Sequence, residues 1–285
     1  MSIRFSSVLV AHERGSRAFA LKAIDLRELD EPGCPITVLD DFRVRGEPFP
    51  PHPHAGFSAV TYVFEDSATG LRSRDSLGDD IVVGPGGIVW TEAGSGVVHH
   101  EIPADTNREL HGVQIFVNLS AKNKLSAPRM LRLASNEVPE WRSDAGDHVR
   151  VAVGSFEGVS SPLVPTEPFT LLDVRLRRAI SFDVPHNHYA LVYVLTRSIL
   201  VRADGNQQKV EDGHAIALYG GSGRVTLNPF EPAHVLILSG AAIHEPVLVD
   251  GPFIMNERSQ IDAAYERYRR GDMGHLAAGL GEITR

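Results

Sequence analysis

The chain reads His52-Pro53-His54 just before an apolar strand containing Tyr62-Val63, and the same order recurs as His186-Asn187-His188 before Tyr193-Val194. In both copies the strand is followed by an acidic turn beside a glycine, at residues 78–80 and 211–213. The two histidine pairs are separated by about half of the 285-residue chain. This recurrence predicts a duplicated β-barrel.

Strand patterns dominate the rest of the sequence. The 26 glycines and 18 prolines are spread along the chain and separate short runs of β-branched and aromatic residues, which is typical of an all-β fold. Apolar and polar side chains alternate most clearly over residues 113–119, 149–153 and 172–177. The sequence therefore predicts an all-β protein.

A helical period stands out near the C-terminus. Ile261, Ala264, Tyr265 and Tyr268 share one face of a helix. Asn256 is a candidate N-cap and Gly271 a candidate stop. We expect a single short helix packed on the β body.

The alternation is lost between Ser120 and Gly146, where polar residues and prolines replace it. We place the domain boundary there. The predicted domains are an N-terminal barrel over residues 1–130, a linker over 131–146, and a C-terminal barrel with the terminal helix over 147–285.

Composition limits the classes of partner and compartment. The chain has 28 basic and 36 acidic residues, a formal net charge of −8, and no basic run longer than Arg269-Arg270, so nucleic-acid binding through a basic patch is not expected. Cys34 is the single cysteine, which excludes an internal disulfide and a cysteine-rich metal site. No apolar run is long enough to span a membrane. We expect a soluble cytoplasmic protein.

Two short segments have the spacing of metal ligands. His52 and His54 point to one face of an extended strand, and so do His99 and Glu101, whereas His100 points to the other face. A lone His-x-His pair is most often an ordinary surface or core feature. If the two strands are neighbours, three imidazoles and a carboxylate converge, and such a set suits a divalent iron, nickel, copper, manganese or zinc ion.

Longer blocks of sequence surround these residues. The blocks at 52–57, 74–78, 90–99 and 110–119, and the ending Gly251-Pro252-Phe253-Ile254-Met255-Asn256 before a helix, resemble the pirin family, a branch of the cupins. The resemblance covers essentially the whole chain. It implies two cupin barrels, each a double-stranded β-helix or jelly roll, with one metal ion in the N-terminal barrel. The ligand positions of the family match His52, His54, His99 and Glu101.

The resemblance also implies an activity. It predicts quercetin 2,3-dioxygenase-like cleavage of a flavonol by O2 with release of carbon monoxide, on one divalent metal ion. Iron is expected, with nickel, manganese, copper, cobalt and zinc as alternatives. Glu101 would also act as general base, and His111 is a candidate for orienting a ligand. The alternative function is an iron-dependent, redox-sensitive regulator that binds a protein partner without turnover.

Two positions depart from the family pattern. Ser58 stands where pirins commonly have an acidic residue, which predicts a smaller and less charged pocket wall. His186 and His188 are spaced like ligands, but residues 220–227 offer them no histidine or carboxylate, and His234 follows only later. We therefore predict a C-terminal barrel without a metal.

Overall fold

The computed structural model describes residues 2–26, 29 and 33–276. The chain separates into two compact units. The first, called here the C-terminal barrel, contains the described residues within 1–14, 21–41 and 136–244. The second, called the N-terminal barrel, contains the described residues within 15–20, 42–135 and 245–276.

Strands make up most of the described chain, together with a 3-10 turn at Ser135–Glu137 and one α-helix, α1, at Arg258–Arg270. In chain order the strands are β1 (Arg4–Phe5), β2 (Leu9–Val10), β3 (His12–Gly15), β4 (Phe19–Ile24), β5 (Ile36–Val44), β6 (His52–His54), β7 (Phe57–Val63), β8 (Leu71–Asp75), β9 (Asp80–Val83), β10 (Ile88–Glu92), β11 (Val97–Pro103), β12 (Leu110–Asn118), β13 (Arg129–Leu133), β14 (Glu140–Arg142), β15 (His148–Val153), β16 (Ser155–Phe156), β17 (Val159–Ser160), β18 (Phe169–Leu176), β19 (Ile180–Val184), β20 (His188–Thr196), β21 (Ser198–Ala203), β22 (Asn206–Glu211), β23 (His214–Tyr219), β24 (Gly223–Pro229), β25 (Ala233–Ala241), β26 (Leu248–Asp250) and β27 (Phe253–Met255). The all-β prediction is confirmed.

The N-terminal barrel is built from antiparallel strands in two sheets. One has the order β6-β11-β8-β9, and the other contains β13-β10-β7-β12 in that order. Every residue of the central strand β7 is buried, so apolar side chains predominate on both of its faces, with Ser58 and Thr61 as the polar exceptions. Val63, Leu71, Val83, Val89 and Leu110 form part of the core between these strands.

The C-terminal barrel repeats this arrangement. One of its sheets has the order β1-β23-β20-β25-β18-β15-β14, with β2 also paired to β23, and the other has the order β19-β24-β21-β22. The four-stranded sheets of the two barrels match strand for strand, so β19 corresponds to β6 and β24 corresponds to β11. The prediction of a duplicated barrel is confirmed.

The terminal helix begins one residue later than its predicted cap. Glu257, not Asn256, is the N-cap, and it forms a reciprocal capping box with Gln260. Gly271 ends the helix in the left-handed conformation, with φ of 79°, as predicted. Ile261 and Ala264 are buried, and they pack on a cluster that includes Phe253 and Met255 of the N-terminal barrel. In contrast, Tyr268 is exposed.

This grouping differs from the linear division expected from the sequence. Residues before Arg14 group with the C-terminal barrel, and the described residues from Glu245 to 276, with α1, group with the N-terminal barrel. The segment expected to be a linker contains strand β14, which pairs with β15. The part of the predicted C-terminal domain beyond residue 276 lies outside the described residues.

None of the helices in the described part of the chain has the length and apolar character needed to cross a membrane.

Candidate metal centre

Three imidazoles converge where β6 pairs with β11. The antiparallel register places His52 opposite His99 and His54 opposite Val97. Because His52 and His54 are two residues apart, both rings point to the same face of β6. The candidate ligand atoms of His52, His54 and His99 all lie within 4.8 Å of one another. The predicted convergence of these three histidines is confirmed.

The ring nitrogens of this cluster suit a metal ion. His52 Nδ1 lies 2.9 Å from the carbonyl oxygen of Pro50 and donates to it, which leaves the lone pair on Nε2. His52 Nε2 and His99 Nε2 are 3.2 Å apart. Two nitrogens at ~2.1 Å from one ion, at right angles, would be ~3 Å apart. The imidazoles therefore fit a metal without rearrangement of the strands.

Burial keeps His54 and His99 neutral. His54 and His99 are 4% and 2% exposed. Burial, and then the neighbouring imidazole of His52, lower the pKa of His54 to about 3. Burial and the other imidazoles hold the pKa of His99 well below its usual value. Neutral imidazole is the form that binds a metal, so protons compete weakly for this site at neutral pH.

Glu101 follows His99 by two residues on β11, but the three-histidine cluster does not contain its carboxylate. Its Oε2 atom accepts a hydrogen bond of 2.6 Å from Thr61 Oγ1, and Oε1 lies 3.5 Å from Ser73 Oγ. Burial raises the pKa of Glu101 to about 7, while these two hydroxyls oppose the rise. The role of Glu101 as a ligand and as a base stays a prediction.

Two aromatic rings lie beside His54. The ring centres of Phe57 and Phe116 are 5.0 Å and 5.3 Å from that of His54, and 4.5 Å from each other. We call this pair the phenylalanine wall. It gives the cluster an apolar side, which favours a flat aromatic substrate and excludes water. Phe57 ends the sequence block at residues 52–57, but its contact with His54 depends on the packing of β7 and β12.

The interpretation of Ser58 as a pocket wall is wrong. Phe57 and Thr61 on β7 point towards His54 and Glu101. Because side chains alternate along a strand, Ser58 points to the opposite face, where it is buried. Thr61 is the polar side chain of β7 at the candidate site. Its position four residues after Phe57, on the same face, is the signal that could have indicated it.

The two other histidines near these segments have different partners. His100 points away from the cluster, as predicted, because its Nε2 donates to the carbonyl oxygen of Phe49 at 3.1 Å and Arg74 lies 3.2 Å from its Nδ1. His111 Nδ1 lies 2.8 Å from Asp66 Oδ1, and its ring packs on Phe64. His111 thus contacts Asp66 and Phe64, and its predicted role in orienting a ligand stays a prediction.

The C-terminal barrel has apolar residues in the corresponding positions. Strands β11 and β24 can be aligned because each ends at a proline, Pro103 and Pro229. This alignment and the strand pairing then give the counterparts: Phe182 for His52, Val184 for His54, Val225 for His99 and Leu227 for Glu101. All four counterparts are buried. His186 and His188 lie beyond the end of β19, so they are not the counterparts of His52 and His54. Within the described residues they form no three-ligand group.

A buried lysine supports the segment that follows His54. Lys124 is fully buried, and its ammonium donates to the carbonyl oxygens of Gly56 and Ile254, each at 2.9 Å, and to Asn118 Oδ1 at 2.6 Å. Three acceptors match the three protons of the ammonium group. Lys124 thus ties β27 and the end of β12 to the turn between His54 and Phe57.

Two family models match this chain. The model described as Pirin matches residues 24–117, and the model described as Pirin C-terminal cupin domain matches residues 171–274. The first match includes the candidate metal centre. The second includes most of the C-terminal barrel, where apolar residues replace the three clustered histidines.

Named relatives agree with these models. A protein of Pseudomonas aeruginosa named "Putative quercetin 2,3-dioxygenase" is 32% identical over 249 residues, which are 83% of this chain and 86% of that protein. Pirin of Mus musculus is 32% identical over 260 residues, 89% of this chain and 86% of that protein. The crystal structure of a quercetin 2,3-dioxygenase from Acinetobacter baumannii has a TM-score of 0.84 and 24% identity, and the alignment covers 97% of this chain and 100% of that one. This last likeness supports the fold.

Proposed function

Because this chain belongs to the pirin family, we propose that it is a metal-dependent dioxygenase that opens the heterocyclic ring of a flavonol with O2 and releases carbon monoxide. The relative in Pseudomonas aeruginosa whose name refers to quercetin 2,3-dioxygenase supports this activity. The observation that carries the proposal is the cluster of three buried or half-buried histidines next to the phenylalanine wall.

One divalent metal ion, expected to be iron, would be held by His52, His54, His99 and Glu101. When bound, the ion would supply Lewis acidity and a fixed position for the substrate oxygens. The donor set fits such an ion because burial keeps His54 and His99 neutral by lowering their pKa values, and the ring nitrogens of the cluster already face one point. Nickel, manganese, copper, cobalt and zinc suit the same ligands.

The protein's own groups would orient the flavonol and keep water away. The hydrogen bond from His52 Nδ1 to Pro50 fixes the ring of His52 with Nε2 towards the cluster. Phe57 and Phe116 present ring faces and edges against which an aromatic substrate can pack. Such an apolar side strengthens electrostatic interactions with the substrate because it lowers the local dielectric constant.

Glu101 would accept the proton of the flavonol 3-hydroxyl. Its carboxylate lies on the same face of β11 as His99, and Thr61 fixes Oε2 with a 2.6 Å hydrogen bond. Oε1, with only the 3.5 Å contact to Ser73, is the less constrained oxygen. A base that is held by one oxygen can receive a proton on the other without leaving its position.

The test is oxygen uptake by purified protein loaded in turn with Fe, Ni, Mn and Cu. We expect quercetin-dependent O2 consumption, with carbon monoxide detected in the headspace, for at least one metal. Metal-free protein and metal-loaded protein without quercetin are the controls. If every metal form binds its ion but none consumes O2 with quercetin, the proposed enzyme activity is wrong.

A further inference from the structure

A cavity of about 690 Å³ opens at one end of the C-terminal barrel. Its lining is mixed: polar side chains lie beside a group of apolar ones, Phe156, Leu163, Phe169, Phe182 and Ile237. A cavity of this size that combines apolar walls with polar groups is typical of sites for small organic molecules.

The position of this cavity corresponds to the metal centre of the other barrel. Phe182, which lines the cavity, is the counterpart of His52, and its partner Val225 is the counterpart of His99. The C-terminal barrel thus keeps an opening at this end, but it has apolar side chains where the N-terminal barrel has histidines. An occupant would be held by apolar contact rather than by a metal.

One buried hydroxyl in this cavity has no partner. Ser239 is 7% exposed, and its Oγ atom has no hydrogen-bond partner among the described residues. Ser239 lies on β25 two residues after Ile237, so both side chains point to the same face, and both line the cavity. Buried hydroxyls are normally paired, so this one indicates a polar atom of an occupant.

The polar groups at the opening restrict the charge of that occupant. His188 Nδ1 donates to the carbonyl oxygen of His186 at 3.0 Å, which leaves Nε2 as an acceptor. Arg224 is paired with Asp183 at 3.2 Å, and Glu157 also lines the cavity. Two carboxylates face one guanidinium, so the opening does not favour an anion.

We propose that the C-terminal barrel binds a neutral phenol of one or two rings in this cavity. The rings would pack against Phe169 and Phe182, and the phenol oxygen would form a hydrogen bond with Ser239 Oγ. A phenol matches Ser239 because each hydroxyl can both donate and accept. This site is independent of the metal centre and of the activity proposed for it.

The experiment is titration calorimetry at pH 7 with 2-naphthol, naphthalene and 2-naphthoate as probes. We expect 2-naphthol to bind at one site per chain, and naphthalene and 2-naphthoate to bind more weakly. Ser239→Ala should weaken 2-naphthol binding about 3- to 10-fold, the effect of one lost hydrogen bond, and leave naphthalene unchanged. Ser239→Leu places a branched apolar side chain where the phenol oxygen would lie, and it should weaken 2-naphthol binding more than Ser239→Ala does.

His54→Ala serves as the matched control, because it alters the other barrel and should leave 2-naphthol binding unchanged. Thermal unfolding checks that each variant is folded, and Ser239→Ala, which removes only an unpaired hydroxyl, remains informative if Ser239→Leu does not fold. The proposal is overturned if 2-naphthol does not bind, if naphthalene binds as tightly, if Ser239→Ala has no effect, or if His54→Ala removes the binding.

Discussion

His52 and His99 face each other across the β6–β11 pair with their Nε2 atoms 3.2 Å apart. Strand β6 has only three residues, and the backbone pairing alone brings these two rings together. The spacing of the nitrogens is set by the protein before any ion binds, so little reorganisation opposes metal binding.

His54→Ala should remove most of the bound metal, because it deletes one of the imidazoles that converge on the site. We expect elemental analysis to give close to one metal ion per chain for the wild type and a small fraction of that for the variant. His100→Ala is the control, since its ring contacts Phe49 and Arg74 instead. Unchanged metal content in His54→Ala would show that the ligand set is wrong.

Glu101→Gln should retain part of the metal but lose the base. The amide keeps the size of the carboxylate and can still interact with Thr61, so the fold around β11 should persist. We expect quercetin-dependent oxygen uptake to fall by ~10²–10⁴-fold, the range for a lost general base. Glu109→Gln, at an exposed ion pair with Arg43, is the control. If Glu101→Gln is as active as the wild type, another group must accept the proton.

The stability of metal-free protein should decrease as the pH falls below about 6.5. The pKa of His54 is lowered to about 3, so at intermediate pH the unfolded chain binds a proton that the native protein does not. Each such group lowers the free energy of unfolding by up to ~1.4 kcal/mol per pH unit. Glu101, with its pKa raised to about 7, acts in the opposite direction, because its contribution to stability is lost as the pH rises from about 4.5 to 7.

Urea denaturation of the metal-free wild type and of His54→Gln between pH 7 and pH 4 separates these effects. The variant keeps Glu101 and His99 but lacks the titration of His54, so its free energy of unfolding should fall less steeply with acid, by about 1 kcal/mol per pH unit. Parallel pH dependences for the two proteins would mean that His54 is not held neutral by burial.

Gly56→Ala should destabilise the N-terminal barrel and weaken its metal binding. Gly56 has φ of +83°, and a Cβ atom there would lie 1.9 Å from the carbonyl oxygen of Ile254. Gly78 has φ of +103° with no atom within 4 Å of such a Cβ. Gly78→Ala therefore measures the backbone strain alone. Gly56→Ala should cost about 1–3 kcal/mol more in chemical denaturation, because overpacking adds to that strain; equal losses would contradict this.

The sequence was sufficient to predict the features that depend on local pattern. Alternation identified β12, β15 and β18, and the two-residue spacing placed the histidines of β6 and β11 on their faces. The pairing of those strands could be proposed because the resemblance to pirins supplied a topology. The position of Gly271 as the helix stop follows from its unique backbone freedom.

Other features depend on pairing between distant segments, which local pattern does not contain. His186 and His188 have the same spacing as His52 and His54. The strand order nevertheless makes Phe182 and Val184 of β19 the structural counterparts of His52 and His54. Thr61 becomes a partner of Glu101 only when β7 and β11 lie in one barrel. The grouping of α1 with the N-terminal barrel likewise results from contacts made across most of the chain length.

Lys124 binds the carbonyl oxygen of Ile254, a residue more than a hundred positions later in the chain. During synthesis the buried ammonium of the N-terminal barrel therefore lacks one acceptor until β27 has left the ribosome. The C-terminal barrel, whose described residues end at His244, has its whole sequence available earlier. The N-terminal barrel, although most of its strands come from the first half of the chain, is thus the last to be completed, and the proposed metal would be enclosed only at the end of biosynthesis.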